Sequence, residues 1–357
     1  MIKAGIIGRG VVTPVGNTPQ AAFQAAREGR SALRLHAAQE PFFASLLDRG
    51  GYDGPSFFEE IALAAARQAV AEAGINPSAP SCALLLSSIK GNVERLGRED
   101  VSLAASARRL ALALGVKTAP VVVSNACISG LAALVLGLRM IHAGLYRHVI
   151  VVGAEVQSPF IVSGFQSLKA LSPEACRPFD KDRQGLNLGE AAAAVVLGAD
   201  EGDWFPEAGA IRNDANHISG PSRTGEGSFQ ALRAVLTPER REALAFVNVH
   251  GTATLYNDQM EALALERTGL LDVPVNALKG VFGHTMGAAG ILESLLSMQA
   301  LEAGVVLPTR GFSALGVSAP VQVSAQERPV HGNAFIKLLS GFGGVNGALY
   351  FRKGGAL

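Results

Sequence analysis

Cys127 lies in a segment that could make it a nucleophile, within the run Val121-Val-Val-Ser-Asn-Ala-Cys-Ile-Ser-Gly130. The valines predict a buried strand, and the apolar residues from Ile128 onwards recur at helical spacing. In such a turn, capped by Ser124 or Asn125, backbone N–H groups and the helix dipole would lower the pKa of the thiol. The same N–H groups could hold an oxyanion. The alternative is a small apolar residue packed where the strand meets the helix.

Two histidines occupy comparable places at the ends of predicted elements. His250 ends the strand-like run Ala245-Phe-Val-Asn-Val-His250 and precedes the polar loop Gly251-Thr-Ala-Thr254. His284 ends the glycine-rich segment Lys279-Gly-Val-Phe-Gly-His284, ahead of an Ala/Leu-rich helix. Active groups of α/β folds gather at such ends, and a thiol nucleophile needs a base or a preorganised partner. The three side chains are therefore candidates for a nucleophile and its partners; a structural histidine is the alternative for each of the two histidines.

The elements that must position these side chains alternate between short apolar strands and Ala/Leu-rich helices. This alternation predicts an α/β protein whose strands are buried on both faces. The predicted strands are Ala4–Ile7, Cys82–Ser87, Val121–Ser124, His148–Val152, Ala192–Leu197, Phe246–Val249 and Ala334–Leu338. The predicted helices are Pro19–Glu28, Phe57–Ala73, Ser102–Leu114, Ile128–Ala143, Gly227–Leu236, Gln259–Arg267 and Ala288–Ala303. No flexible linker interrupts them, so any two halves should share one core.

Composition excludes several classes of protein. The 357 residues include 31 basic and 30 acidic ones, which gives no electrostatic reason to bind nucleic acid or an anionic membrane. The cysteines, Cys82, Cys127 and Cys176, form no CxxC pair, which argues against a disulfide framework or a zinc site and favours the reducing cytoplasm. No apolar run approaches the roughly 18 residues that span a bilayer, so no membrane insertion is expected. The first ten residues predict a strand and turn, not a signal peptide.

A set of motifs in order resembles the β-ketoacyl-acyl carrier protein synthases of the type I/II, Cys-His-His class, in the thiolase superfamily. The motifs are Asn125-Ala-Cys-Ile-Ser-Gly130, Arg177-Pro-Phe-Asp-Lys-Asp-Arg-Gln-Gly-Leu-Asn-Leu-Gly-Glu190, His250-Gly-Thr-Ala-Thr254, Lys279-Gly-Val-Phe-Gly-His284 and Gly341-Phe-Gly-Gly-Val-Asn346. The resemblance implies a thiolase-like fold, with two similar mixed βαβαβ halves in a five-layered αβαβα arrangement. Residues 1–215 would carry the nucleophilic cysteine, and residues 216–357 would carry both histidines.

The resemblance also implies a reaction without a metal or cofactor. Cys127 would take an acyl group from a thioester, while His250 and His284 would bind a malonyl thioester carried by acyl carrier protein and stabilise the enolate left by decarboxylation. The N–H groups of Cys127 and Phe342 would form the oxyanion hole, and Gly341, Gly343 and Gly344 would permit close backbone approach. Phe342 would also gate the acyl pocket; its alternative is a core phenylalanine.

Four further residues are assigned by the resemblance alone. Lys279 would support the histidines with Glu261 as its ionic partner, and a surface ion pair is the alternative for both. Thr252 and Thr254 would hydrogen-bond the phosphopantetheine arm of the carrier protein.

The chain departs from this family in ways that bear on substrate and partner choice. It is shorter around Gly51–Pro55, between Lys90 and Ala107, and between Gln157 and Cys176, and Ser340 replaces a common phenylalanine. These departures favour a specialised pathway, with aryl or polyene chains as one possibility, over housekeeping fatty-acid elongation.

Two other functions compete with condensation. A thiolase needs a second catalytic cysteine near the carboxyl end, and no cysteine follows Cys176. A non-catalytic, chain-length-factor-like subunit of a heterodimeric synthase normally lacks the nucleophile that this chain retains. A dimer is expected in either case, with itself or with a homologous subunit, because a strand edge and the helix Ile128–Ala143 would partly depend on a neighbour.

Overall fold

The computed structural model describes residues 2–38, 40–52, 56–97 and 100–354. Of the shortened segments, residues 53–55, 98 and 99 lie outside this range. The strands are β1 (Ala4–Val12), β2 (Leu33–His36), β3 (Phe42–Ser45), β4 (Cys82–Ser87), β5 (Val121–Val123), β6 (His148–Glu155), β7 (Leu188–Gly189), β8 (Ala191–Ala199), β9 (Trp204–Asn213), β10 (Leu244–Asn248), β11 (Pro274–Asn276), β12 (Val305–Val306), β13 (Gln322–Val323), β14 (Arg328–Pro329), β15 (Ala334–Gly341) and β16 (Val345–Lys353).

The helices are mostly amphipathic or fully buried, and several begin at side-chain caps such as Ser56, Ser102 and Thr254. They are α1 (Pro19–Arg27), α2 (Phe57–Ala73), α3 (Leu103–Leu114), α4 (Ser129–His142), α5 (Pro159–Ser167), α6 (Glu226–Val235), α7 (Pro238–Glu242), α8 (Leu255–Arg267), α9 (Lys279–Phe282) and α10 (Ala289–Glu302), with short 3₁₀ turns at Val93–Arg95 and Met286–Ala288. Within the described ranges, no helix is both long and apolar enough to cross a membrane.

The main sheet shows an internal repeat. Its order is β13-β11-β10-β15-β16-β9-β1-β8-β6-β4-β5. Taken in chain order, the set β1, β4, β5, β6, β8 and the set β9, β10, β11, β15, β16 have the same spatial arrangement, and in both sets the last strand runs antiparallel to its two neighbours. A single residue pair, Ile6 with Trp204, joins the two sets.

The repeat bears on the expected division at residues 215 and 216. Strand β9 precedes that division, yet it begins the second set and pairs along most of its length with β16. We therefore propose a boundary between Ala199 and Trp204.

Two central helices, α4 and α10, pack between the two sets of strands. Helix α4 contacts β6, β9 and β16, and α10 contacts α4, β8 and β15. Helix α2 covers the outer face of the first half, and α6 and α8 cover that of the second half. This arrangement confirms the five-layered, thiolase-like fold. Helix α4 is buried almost throughout by contacts within the chain itself. The expectation that it depends partly on a neighbouring subunit is therefore wrong.

Every strand and helix predicted from the sequence overlaps one in the structure. The elements that sequence reasoning missed include β9, β16 and α5. Strand β9 contains Pro206, Glu207 and Gly209, which interrupt its apolar pattern. These interruptions are tolerated because β9 pairs with β16 on one side and only briefly with β1 on the other.

Candidate active site

Cys127 lies in the tight turn between β5 and α4, as predicted. Ala126 adopts a left-handed φ of 45°, which turns the chain sharply before the cysteine. Ser129 holds this turn: its hydroxyl donates to the Ala126 carbonyl at 2.6 Å and accepts from the Asn125 N–H at 2.8 Å. The predicted caps, Ser124 and Asn125, are wrong, because α4 begins after Ile128 and has no side-chain cap.

The Cys127 thiol is buried, with 6% of the residue exposed, and lies beside backbone N–H groups. Burial raises its pKa to about 11, against the lowering effects of Lys279 and of the N–H groups of Phe342 and Cys127. The expected low pKa is therefore wrong: desolvation outweighs the effects of Lys279 and of the N–H groups, and the resting group is a neutral thiol. Because these two N–H groups lie beside the sulfur, they are available to a negative oxygen that develops on a carbon bonded to it.

His250 and His284 meet the thiol from the second half of the chain. The Cys127 sulfur and one ring nitrogen from each histidine all lie within 4.8 Å of one another. The rings pack edge to face with their centroids 5.0 Å apart. One sulfur and two imidazole nitrogens at this spacing are also a set of ligands that could bind Zn²⁺.

The environment holds both imidazoles neutral. Burial, reinforced by the positive charges of Lys279 and Lys337, lowers the pKa of each histidine well below its ordinary value. Nδ1 of His284 accepts from the Met286 N–H at 3.3 Å, so the hydrogen of the neutral ring is on Nε2, which has no protein partner. His284 is thus a donor of fixed orientation, and its Nε2–H is available to the oxygen of a bound molecule.

The structure corrects the expected pairing of Lys279 with Glu261. Lys279 Nζ donates to Glu293 Oε1 at 2.8 Å. Glu261 instead accepts from the N–H groups of His250 and Gly251 at 2.7 and 2.8 Å, and from Asn257 Nδ2 at 2.8 Å. Both residues are buried, so the alternative of a surface ion pair is wrong as well. Glu261 fixes the backbone of His250, while Lys279 carries charge behind the pair.

A cavity of about 430 Å³ opens onto the thiol and both histidines. Thr252 and Thr254 line it, and their hydroxyl oxygens are 3.0 Å apart. The Thr254 hydroxyl also accepts a hydrogen bond from the N–H of Asn257 and so caps the N-terminus of α8.

Phe342 stands at the wall of the same cavity. It is 37% exposed and its ring lies 5.9 Å from that of Phe165, so it is not a core residue. The adjacent glycines differ in what they do. A Cβ on Gly341 would approach the Cys127 nitrogen to 3.1 Å, whereas Gly343 has open space and is explained by its φ of +86°. Close approach to the cysteine is therefore the task of Gly341 and not of Gly343.

Sequence reasoning missed three buried polar residues behind the histidines: Asn248, Glu293 and Lys337. Lys337 interrupts the apolar run of β15, and that interruption was the available signal. Glu293 lies in α10 among apolar residues on every face of the helix. A charge in such a position is rarely buried unless it is paired.

Comparison with known proteins gives the same family from independent evidence. Residues 55–201 match the family described as "Beta-ketoacyl synthase, N-terminal domain", and residues 207–313 match "Beta-ketoacyl synthase, C-terminal domain". The chain is 28% identical to 3-oxoacyl-[acyl-carrier-protein] synthase 2 of Vibrio cholerae, over 98% of each sequence.

Solved structures agree with this assignment. A β-ketoacyl synthase from Burkholderia phymatum superposes with a TM-score of 0.88 at 25% identity, covering 99% of this chain and 100% of that one. A ketosynthase from Xenorhabdus doucetiae, solved in complex with its chain length factor, gives a TM-score of 0.87 at 23% identity, covering 99% and 98%. The chain therefore belongs to the β-ketoacyl synthase family of acyl-transferring condensing enzymes.

Proposed function

We propose that this chain condenses an acyl group held on Cys127 with a malonyl thioester on acyl carrier protein, in fatty-acid or specialised, polyene- or polyketide-like chain elongation. The observation that carries the proposal is the meeting of the Cys127 sulfur with His250 and His284 within 4.8 Å. The cavity that reaches all three gives the substrates a route to them.

The first half-reaction is a thioester exchange. The Cys127 sulfur attacks the acyl carbonyl carbon, and the carrier thiol leaves with the proton that Cys127 loses. Because the resting thiol is neutral, this proton needs an acceptor. The carrier sulfur, which leaves as a thiolate, is the final acceptor of this proton. The N–H groups of Cys127 and Phe342 stabilise the tetrahedral oxyanion.

The second half-reaction joins two carbons. The malonyl group loses carbon dioxide, the resulting enolate carbon bonds to the acyl carbon, and the bond from the acyl carbon to the Cys127 sulfur breaks. The sulfur leaves as a thiolate and takes up one proton from solvent, which restores the neutral thiol. The enolate oxygen accepts from the unpartnered Nε2–H of His284 and from His250. Phe342 gates the acyl side of the site, and Thr252 and Thr254 hold the pantetheine arm.

Acyl carrier protein is the partner that this reaction requires, and the Vibrio cholerae relative bears that partner in its name. The cytoplasm fits a working thiol, and Cys82, Cys127 and Cys176 are all unpaired. The alternative, a non-catalytic chain-length-factor-like subunit, has support from the Xenorhabdus doucetiae complex. It does not explain why a cysteine, an oriented imidazole and an open cavity coincide.

Intact-mass measurement tests the proposed function. After incubation with a panel of acyl-carrier thioesters, we expect the protein to gain the mass of one acyl group. Adding malonyl-carrier protein should then remove that mass and yield a carrier-bound β-ketoacyl product. A protein that takes no acyl group from any member of the panel would support the non-catalytic alternative.

We also expect a stable dimer, with itself or with a homologous subunit. Strand β5 ends the main sheet, and its valines are only half-buried. On the neighbouring α3, Leu112 is 84% exposed, which leaves an apolar surface around this edge. Covering an edge of this kind in an obligate dimer buries roughly 2,000–5,000 Å².

Light scattering of the purified chain measures this association. The near-neutral net charge of +1 predicts the same mass at low and high salt. Insolubility that a co-expressed homologue cures would indicate a heterodimer. An active monomer at micromolar concentration would contradict the expectation.

A further inference from the structure

Lys337 is a fully buried lysine in the middle of β15, behind the histidine pair. Its Nζ donates to Asn248 Oδ1 at 2.6 Å, to the Val249 carbonyl oxygen at 3.1 Å, and to a carboxylate oxygen of Glu293. An ammonium group has three protons, and each of these has an acceptor. Lys337 is therefore held as a charged group in a cage of three oxygens.

This cage connects the two segments that carry the histidines. Val249, whose carbonyl it binds, immediately precedes His250. Glu293 also accepts from Lys279, which begins the short helix leading to His284. One carboxylate and two ammonium groups thus tie together β10, β15, α9 and α10.

The charges around Lys337 come from every element packed against it. Glu293 and Glu261 face it with negative charge, and Lys279 faces it with positive charge. His250 and His284 lie within range of its field. Glu293 is bound by both lysines, whereas burial raises the pKa of Glu261 to about 7. Removing one member of the cluster leaves an uncompensated buried charge.

We propose that Lys337 is a positioning residue for the histidine pair: it fixes the backbone at Val249, and so the place of the His250 ring, for the malonyl half-reaction. This inference rests on the proposed function. In support of it, burial lowers the pKa of Lys337 to about 8 while Glu293 opposes the shift, so the group is mainly protonated at neutral pH. The oxygen cage fits an ammonium and would fit a neutral side chain poorly.

The proposal predicts a loss confined to one half-reaction. In a Cys127→Gln background, Lys337→Met should reduce kcat for malonyl-carrier decarboxylation by about 10²-fold, the effect expected from a misplaced reacting group. With Cys127 present, Lys337→Met should acylate at a rate within about threefold of the parent protein, because the acyl site is built from β5, α4 and the Phe342 loop.

Chemical rescue separates positioning from a general structural role. Lys337→Ala leaves the three oxygens and removes the side chain, so ammonium chloride should restore part of the lost decarboxylation, and sodium chloride at equal ionic strength should restore less. Glu59→Gln is the matched control, because Glu59 is a buried carboxylate that accepts from Ser106 and Arg109 in the outer helix layer. It should leave both half-reactions unchanged.

Each outcome decides the proposal. Selective loss of decarboxylation, with ammonium rescue in Lys337→Ala, supports it. Equal loss of both half-reactions, with a lowered melting temperature and no rescue, overturns it. Normal decarboxylation in both Lys337 variants overturns it as well. If the Cys127→Gln parent itself fails to decarboxylate while retaining its fold, the proposed function fails instead, and the two failures are distinguishable.

Discussion

Replacing Cys127 with alanine should abolish condensation, reducing the rate by at least about 10⁴-fold, as loss of a covalent nucleophile does in other enzymes. The variant keeps the cavity, both histidines and the N–H groups, but it has no atom to receive the acyl group. Chromatography of the carrier-bound product, with acyl- and malonyl-carrier protein as substrates, measures the loss.

The other two cysteines provide the controls for this expectation. Neither Cys82 nor Cys176 is among the described residues that line the cavity, and the Cys176 thiol already donates to the Lys279 carbonyl. Cys82→Ala and Cys176→Ala should both keep the acyl adduct. An adduct mapped to either residue by peptide mass spectrometry would contradict the assignment of the nucleophile.

Cys127→Gln should behave differently from Cys127→Ala. The glutamine amide places a carbonyl group where the thioester of the acylated enzyme would stand, and the adjacent N–H groups can bind its oxygen. Malonyl decarboxylation should therefore persist in Cys127→Gln although condensation is lost.

The parts of the site that depend on local sequence were predictable. The Val121–Val123 run, the short turn and the helical spacing after Ile128 suffice to place Cys127 between β5 and α4. His250 and His284 were likewise found at the ends of elements. In each case the place of the residue at the end of an element follows from the local hydrophobic pattern, although the backbone of His284 is also held by Asn187 and Gly189.

The electrostatics of the site could not be predicted in the same way. The helix dipole is visible in the sequence, but the burial that dominates the pKa of Cys127 depends on packing against the second half. Two glutamates, Glu261 and Glu293, lie at similar sequence separations from Lys279, so either could have been its partner. Only the approach of α10 to α9 selects Glu293, and only the neighbouring strand brings Lys337 to the same carboxylate.

Changing His250 or His284 to alanine should cripple malonyl decarboxylation, each by about 10²–10³-fold, the usual effect of removing one donor to a developing oxyanion. Cys127 should still be acylated at a measurable rate in both variants, because the cavity and the N–H groups beside the thiol remain. Release of labelled carbon dioxide measures one half-reaction, and intact mass measures the other.

The pH dependence of that decarboxylation follows from the same environment. The pKa of both histidines in the folded protein lies well below the ordinary value of 6.5, so both rings stay neutral above it and gain a proton only as the pH falls through the lowered value. Titration of the histidines should therefore add no change in rate between about pH 8 and about pH 6.5. A change within that window would come from Glu261 or Lys337, because burial moves the pKa of Glu261 to about 7 and that of Lys337 to about 8. The exposed His331 provides the control, since His331→Ala should leave both the rate and the profile unchanged.

Normal decarboxylation in both His250→Ala and His284→Ala would mean that the enolate is stabilised elsewhere. Among the described residues of this site, no other neutral side chain presents an unpartnered ring N–H beside the thiol.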